Sequence, residues 1–230
     1  MACRFCASGL EGVRRNLSAH ELLEQIVLLR RDGTVARLVF MGSGEPTQNL
    51  REVVRAMEVL KAEGALGPRH VLISTVGPVS AIERVTATGL KWTLALSLHA
   101  LNRTLRGELI PTQREVEPRE LLAAADAHAA ATGRAYQVEY VLLGGVNDST
   151  AQARELGVAL RGRRAHVSVI PWNPVAEQAF VAPEGESRQR FLAVLREEGV
   201  SATLRRTVGG ATHAACGQLR IAQQRASCVE

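Results

Sequence analysis

Apolar and polar residues follow two distinct patterns along this chain. Short apolar, β-branched runs predict strands at residues 38–41, 71–75, 93–98, 136–142, 166–170 and 202–206. Longer segments repeat apolar positions three and four residues apart and predict helices at about 18–31, 50–63, 79–87, 119–132, 151–161 and 186–198. Ser18 and Glu21 have the spacing of a capping box at the start of the first helix, and Gly64 predicts the end of the second.

Strands that are each separated by a helix predict βα units, and such units build a parallel sheet. We therefore expect one α/β domain over residues 1–230, a closed or partly closed TIM-like (βα)6 barrel. No strand is predicted before the first helix, where a complete barrel would have one. Loops at the carboxyl ends of the strands form the site in such folds, and the polar and glycine-rich segments of this chain fall in those loops.

Composition restricts the class of protein. The chain has 46% hydrophobic and 22% charged residues, as an ordinary globular domain does. It contains no apolar run long enough to cross a membrane and no recognisable signal peptide at its start, so we expect no membrane association. The expected location is the reducing cytoplasm, where a framework of disulfides does not form.

The net charge of +5 favours a polyanionic partner. Arginine supplies most of it, in pairs such as Arg14-Arg15 and Arg163-Arg164. The alternative is that these pairs are simply solvated surface. Aromatic residues make up only 3% of the chain, which argues against a stacking platform for single-stranded nucleic acid. RNA binding would therefore depend on phosphate contacts and a shaped pocket.

The cysteines lie at the two ends of the chain, Cys3 and Cys6 at the start and Cys216 and Cys228 at the finish. Cys3-Arg4-Phe5-Cys6 is a two-thiol loop that suits a zinc ion, a redox pair or part of an iron–sulfur site. Zinc would need two more ligands, and neither His20 nor His213 has a recognisable spacing. A thioredoxin-like pair would open a helix directly, whereas this loop continues before the helix begins.

Seven motifs occur in order: Cys3-Arg4-Phe5-Cys6, Gly42-Ser43-Gly44-Glu45-Pro46, Ser74-Thr75-Val76-Gly77, Ser97-Leu98-His99-Ala100, Leu142-Leu143-Gly144-Gly145-Val146-Asn147-Asp148, Ile170-Pro171-Trp172-Asn173-Pro174 and Ala214-Ala215-Cys216-Gly217-Gln218-Leu219. Each alone is weak. Together, in register with one βα alternation, they resemble the RlmN/Cfr family of radical S-adenosylmethionine (SAM) RNA methyltransferases over nearly the whole chain. The resemblance implies the radical SAM form of the partial barrel.

The resemblance also implies the cofactors and the site. Cys3 and Cys6 match the second and third ligands of a [4Fe-4S] cluster, whose open iron binds SAM. The positions that match SAM contacts are Gly44, Glu45, Ser74, Ser97, Leu98, His99 and Asn173. Cys216 matches the cysteine that is methylated on sulfur and then passes the carbon to C2 of an adenine. The implied partners are 23S rRNA, tRNA as a further candidate, and a reducing electron donor such as flavodoxin.

The residue types agree with these roles, although each has a simpler explanation. A glutamate on a glycine-rich strand end can accept hydrogen bonds from an ammonium group, but Glu45 could equally cap the next turn. His99 could be a hydrogen-bonded structural histidine, and Trp172 is expected to be a packing residue. The small neighbours of Cys216 leave room for a methylated thiol and a base. Cys228 is expected to be an incidental thiol.

The chain departs from the family pattern at both ends. The first cluster cysteine should lie four positions before Cys3, upstream of Met1, together with a strand, a second catalytic cysteine and an RNA-binding domain. We therefore expect an N-terminally truncated catalytic domain that is nearly inactive as written. The segment Gly209–His213 also differs from the acidic and isoleucine residues usual in the family, which puts the local pocket in question.

Three rivals to C2 methylation stay open on the sequence. Methylation at C8, in the style of Cfr, uses the same motifs. A catalytically dead RNA-binding or regulatory remnant would bind RNA in a salt-dependent way without turnover. A radical SAM enzyme that acts on a small substrate would not need Cys216. The RNA position and the electron donor are not determined by these motifs.

Overall fold

The fold is an alternation of strands and helices, which a computed structural model describes over residues 1–9, 12–174 and 178–205. The strands are β1 (Leu38–Phe40), β2 (Val71–Thr75), β3 (Thr93–Ser97), β4 (Tyr136–Leu142), β5 (Ala165–Pro171) and β6 (Ala202–Leu204). The helices are α1 (Ala19–Asp32), α2 (Leu50–Ala62), α3 (Val79–Ala87), α4 (Arg103–Leu109), α5 (Pro118–Thr132), α6 (Thr150–Leu160) and α7 (Gly185–Glu197). Short 3-10 turns occur at several junctions.

All strands lie in one sheet in chain order, and each neighbouring pair is parallel. The longest pairing joins β4 to β5, from Tyr136 opposite Ala165 to Leu142 opposite Pro171. A parallel sheet with one helix after nearly every strand is the partial barrel that the sequence predicts, and this prediction is confirmed. In the described residues before α1, the chain has a 3-10 turn at Ala7–Gly9 and no strand.

The core fills the space between the strands and the helices that cover them. Leu94, Ala95 and Leu96 of β3 are all fully buried, because a central strand of a parallel sheet is covered on both faces. The helices contribute apolar stripes, such as Val53, Met57 and Leu60 of α2. This core fixes the carboxyl ends of the strands, where the candidate site lies.

The capping box predicted at α1 is confirmed. The Ser18 hydroxyl accepts a hydrogen bond from the Glu21 N–H at 3.3 Å, and the Glu21 carboxylate accepts one from the Ser18 N–H at 2.8 Å. Arg15 also donates to this carboxylate at 2.6 Å and, with the Ser18 bonds, holds its pKa at about 2. The start of α1 is therefore set by the residues that the sequence singles out.

The structure differs from the predicted elements at several ends. β1 stops at Phe40 and β3 at Ser97, each one residue short of the prediction, because the next residue already turns into the loop. α5 begins one residue early, at Pro118, which suits the first turn of a helix because it has no N–H to lose. The helix α4 is not in the sequence prediction at all. No helix in the described residues is long and apolar enough to span a membrane.

Candidate active site

A cavity of about 320 Å³ opens at the carboxyl ends of β1, β2 and β3. Its wall combines the first residues of the chain, the segment before α1, the loop after β1 and the ends of the next two strands. The residues in this lining that the sequence singles out are Cys3, Cys6, Gly44, Glu45, Ser74, Ser97 and His99. Residues from four separate motifs therefore meet in one cavity, as the parallel topology predicts.

The loop that carries Cys3 and Cys6 is a tight turn. The Cys6 N–H donates to the Cys3 carbonyl at 3.1 Å, and the Gly9 N–H donates to the Cys6 carbonyl at 3.0 Å. A Cβ atom at Gly9 would lie 3.0 Å from the Cys3 carbonyl oxygen, so any side chain there would push against the turn. Both cysteines are half-buried and free of disulfides, and both face the cavity.

Three contacts attach this cysteine loop (residues 3–6) to the barrel. The Arg4 N–H donates to the Leu109 carbonyl at the end of α4, at 3.0 Å. The Trp172 indole N–H donates to the Phe5 carbonyl at 2.9 Å. The Phe5 ring packs edge-on against His99, with centroids 4.7 Å apart. Trp172 is buried, as predicted for a packing residue, and it also holds the loop.

The thiol of Cys3 lies in surroundings that favour its neutral form. The pKa of Cys3 is raised to about 11, chiefly by burial and then by Cys6 and Glu45, while the N-terminal amine and Arg106 oppose the rise. Metal binding would therefore displace a proton from this thiol. Cys3 and Cys6 lie on one wall of the cavity, and thiolates are soft ligands that suit an iron–sulfur group.

The donor set also limits which metal sites are feasible. In the described residues no group of three or more His, Cys, Asp or Glu side chains is placed to hold a metal ion. His20 is exposed on α1 and is not part of such a group, so the zinc alternative that uses His20 has no support there. His213, Cys216 and Cys228 lie outside the described residues.

Glu45 is buried, and the backbone around it fixes its carboxylate. One oxygen accepts from the Thr47 N–H at 3.2 Å and from the Thr47 hydroxyl at 2.7 Å. The other accepts from the Val76 N–H, just past β2, at 3.0 Å. The capping role that the sequence allows for Glu45 is therefore confirmed. The oxygen bonded to Thr47 already accepts two hydrogen bonds, whereas the oxygen bonded to Val76 accepts one and keeps a lone pair for a ligand.

The remaining polar groups of the wall come from β2 and β3. The Ser74 and Ser97 hydroxyls lie 3.3 Å apart and both line the cavity. Gly44, exposed before Glu45, has a φ of +101°, a conformation that favours glycine and lets a ligand approach the backbone. Together these groups provide hydroxyl donors and acceptors, a carboxylate and open backbone on one side of the cavity.

His99 is a hydrogen-bonded histidine, as the simpler explanation predicts, and it also lines the cavity. Its Nδ1 accepts from the Val141 N–H at 3.0 Å, and its backbone has a φ of +63°. Burial, followed by the nearby Arg106 charge, lowers the pKa of His99 to about 3. The imidazole is therefore neutral in the folded protein at physiological pH.

Two predicted ligand positions do not line the cavity in the described part of the chain. Leu98 is fully buried and offers its backbone, with its carbonyl accepting from Arg106 Nε at 3.0 Å. Asn173 follows β5 and is half-exposed beyond Trp172.

Two buried residues support the site although the sequence does not single them out. Asn147 is fully buried and joins two strand ends, since its side chain accepts from the Leu143 N–H at 2.7 Å and donates to the carbonyls of His99 and Val141 at 2.9 and 2.8 Å. Arg106 of α4 is also fully buried beneath the cavity. Asn147 belongs to the motif over residues 142–148, but nothing local in the sequence marks Arg106.

Comparison with known proteins gives a consistent result. Residues 1–157 match the model of the radical SAM superfamily. Two curated relatives are named "Probable dual-specificity RNA methyltransferase RlmN": that of Rhodopirellula baltica is 46% identical over 96% of this chain, and that of Thermosynechococcus vestitus 44% identical over 97%. The crystal structure of a radical SAM methyltransferase from Sphaerobacter thermophilus superposes with a TM-score of 0.89, at 41% identity over 94% of this chain.

These relatives are longer than the chain. The match covers 61% of the Rhodopirellula protein, 67% of the Thermosynechococcus protein and 66% of the Sphaerobacter chain. The chain thus spans about two thirds of the length of the proteins it matches.

Proposed function

This chain belongs to the radical SAM superfamily and, within it, to the RlmN family of RNA methyltransferases, and from that membership we propose that its protein methylates C2 of an adenine in 23S rRNA. A tRNA adenine is a second proposed substrate. The observation that carries the proposal is the cavity that gathers Cys3 and Cys6 with Glu45, Ser74 and Ser97 at one edge of the sheet. The proposed setting is the cytoplasm, with a flavodoxin-like protein as the electron donor.

The proposed cofactors are a [4Fe-4S] cluster and SAM. Cys3 and Cys6 would supply two of the cluster's thiolate ligands. The bound cluster would supply the electron that splits SAM into methionine and a 5′-deoxyadenosyl radical. Everything else in the reaction requires the protein to bind, orient and shield the reactants.

The cavity wall suits the polar groups of SAM. The Glu45 carboxylate is fixed by Thr47 and Val76, so it can accept from the SAM ammonium group without first losing conformational freedom. Ser74 and Ser97 present hydroxyls that can pair with ribose or carboxylate oxygens. Neutral His99 closes the wall beside Phe5 without adding a positive charge.

Cys216 is proposed to carry the methyl group, although it lies outside the described residues. Its thiolate would accept the methyl group of one SAM, which would leave as S-adenosylhomocysteine, and would hold that carbon beside the adenine. The bound cluster and a second SAM would supply the radical chemistry that activates this carbon for transfer.

The test is the variant Cys216→Ala, with the protein expressed from its complete genomic reading frame and reconstituted anaerobically with iron and sulfide. We expect methylation of 23S rRNA to disappear while formation of 5′-deoxyadenosine from SAM continues. Cys228→Ala is the matched control and should leave methylation unchanged. Methylation that survives Cys216→Ala would contradict the role of Cys216.

The same experiment separates the rivals. 8-Methyladenosine in place of 2-methyladenosine would assign the C8 reaction. Salt-dependent RNA binding without a cluster or SAM cleavage would assign a non-catalytic RNA-binding protein. Iron and sulfide analysis of the 230-residue chain itself should give less than one cluster per chain, because two thiolates hold such a cluster poorly.

A further inference from the structure

Arg106 is a buried cation, and no ion pair with a carboxylate is found for it in the described residues. Its side chain is fully buried in α4, and it takes part in none of the described salt bridges. Burial lowers the pKa of Arg106 to about 10, so the guanidinium is still protonated at neutral pH. A buried charge of this kind is costly unless another group balances it.

Carbonyl groups satisfy only part of the guanidinium. Nε donates to the Leu98 carbonyl at 3.0 Å, and one terminal nitrogen donates to the Val76 carbonyl at 2.5 Å and the Ser97 carbonyl at 3.3 Å. The other terminal nitrogen, Nη1, is buried and has no partner in the described residues. These bonds join the ends of β2 and β3, but carbonyl dipoles alone do not neutralise a full positive charge.

The charge lies beneath the cavity that Cys3 and Cys6 line. Arg106 donates to the carbonyls of Val76 and Ser97, and both of those residues line the same cavity. Its positive charge also acts electrostatically on Cys3 and on neutral His99. The loop itself is attached through Arg4 to Leu109, three residues further along α4. One short helix thus holds both the cation and the anchor of the cysteine loop.

We propose that Arg106 is a positioning residue that supplies the balancing positive charge beneath the cavity, so that the cysteine loop can hold negatively charged sulfur. The proposal deepens the proposed function, on which its cluster-level consequence rests. Thiolates, and an iron–sulfur group bound by them, carry negative charge that a buried cation stabilises. A nearby cation also favours the reduced, more negative state of such a group.

A purely structural role for Arg106 would give a different outcome. If Arg106 acted only through its hydrogen bonds to the strand ends, Arg106→Lys and Arg106→Gln would have similar effects, because neither new side chain can donate to all three carbonyls. If the charge matters, Arg106→Lys retains the function at the loop and Arg106→Gln does not. Arg103→Gln is the matched control, because Arg103 lies in the same helix, is exposed, and loses the same charge.

The first measurement needs no metal. The rates at which anionic iodoacetate and neutral iodoacetamide alkylate each cysteine are compared in the metal-free chain. Their ratio reports the local electrostatic potential, since the fraction of thiolate cancels. Trypsin cleaves after Arg4, so mass spectrometry reads Cys3 and Cys6 on separate peptides.

We expect the iodoacetate-to-iodoacetamide ratio at Cys3 to fall about three- to tenfold in Arg106→Gln. It should stay within about twofold of wild type in Arg106→Lys and Arg103→Gln. An unchanged ratio in Arg106→Gln, or an equal fall in Arg106→Lys, would overturn the proposal. If Arg106→Gln fails to fold, wild-type protein is compared with its urea-unfolded form, and an equal ratio in the two would overturn it.

The second measurement follows the cluster in the reconstituted protein. The midpoint potential, from a redox titration monitored by electron paramagnetic resonance, should become more negative in Arg106→Gln and stay near the wild-type value in Arg106→Lys. A protein that shows the alkylation pattern but assembles no cluster would refute the proposed function and leave the charge assignment standing. A wild-type midpoint potential in Arg106→Gln would refute the cluster-level consequence.

Discussion

Glu45 shows how one side chain can serve the fold and a ligand together. Its carboxylate caps the turn at Pro46–Asn49 through Thr47 and reaches across to the backbone beside β2. A mobile carboxylate would lose conformational entropy when SAM binds, whereas the Glu45 carboxylate is already held in one position. The two sequence-based hypotheses for Glu45, cap and ligand, are therefore compatible, and the ligand role stays a prediction.

His99 makes the stability of the fold depend on pH. Burial lowers the pKa of His99 from 6.5 to about 3. Between these two pH values the unfolded chain therefore binds a proton at His99 that the folded chain does not bind. This contribution to stability is present above about pH 6.5 and is lost as the pH falls toward 3. From about pH 7 to about pH 4.5, His99 alone should lower the free energy of unfolding by about 2 kcal/mol.

The substitution His99→Gln should reduce that loss, because glutamine can accept from the Val141 N–H without titrating. Urea unfolding at the two pH values gives the comparison. His20→Gln, at an exposed position on α1, is the control and should keep the wild-type pH dependence. An equally steep pH dependence in His99→Gln would show that other groups cause it.

Among the helices and strands, the sequence predicts correctly those features that neighbouring residues determine. The capping box of α1 and the apolar run of β2 lie where predicted, because caps and buried strands are specified by neighbouring residues. The helix α4 was missed because it is short, contains Gly107, and is held by Arg106 contacts with distant strands. Tertiary contacts of that kind leave no periodic signal in the sequence.

Asn147 joins β3 and β4, and its loss should destabilise both strand ends. Asn147→Ala leaves the Leu143 N–H and the carbonyls of His99 and Val141 without their partners in a buried place. We expect a fall of about 3 kcal/mol in the free energy of unfolding, measured with urea. The exposed Asn16→Ala should change it by less than about 0.5 kcal/mol. A similar small effect at Asn147 would mean that water replaces its bonds.

For the whole molecule, the parallel topology explains how distant motifs form one site. Cys6, Glu45 and Ser97 are far apart in the sequence, and the alternation of strands and helices brings them to the same edge of the sheet. That much follows from the order of the elements. The attachment of the cysteine loop by Trp172 and the buried charge of Arg106 depend on packing between elements, which the sequence does not display.

We propose that this barrel methylates C2 of an adenine in RNA through a cysteine-bound carbon. Nucleoside mass analysis of 23S rRNA, after anaerobic incubation with the reconstituted protein, SAM and a reductant, tests this against authentic methyladenosine standards. We expect 2-methyladenosine whose formation depends on SAM and on the reductant. Unmodified RNA alongside active cleavage of SAM, or 8-methyladenosine instead, would refute methylation at C2.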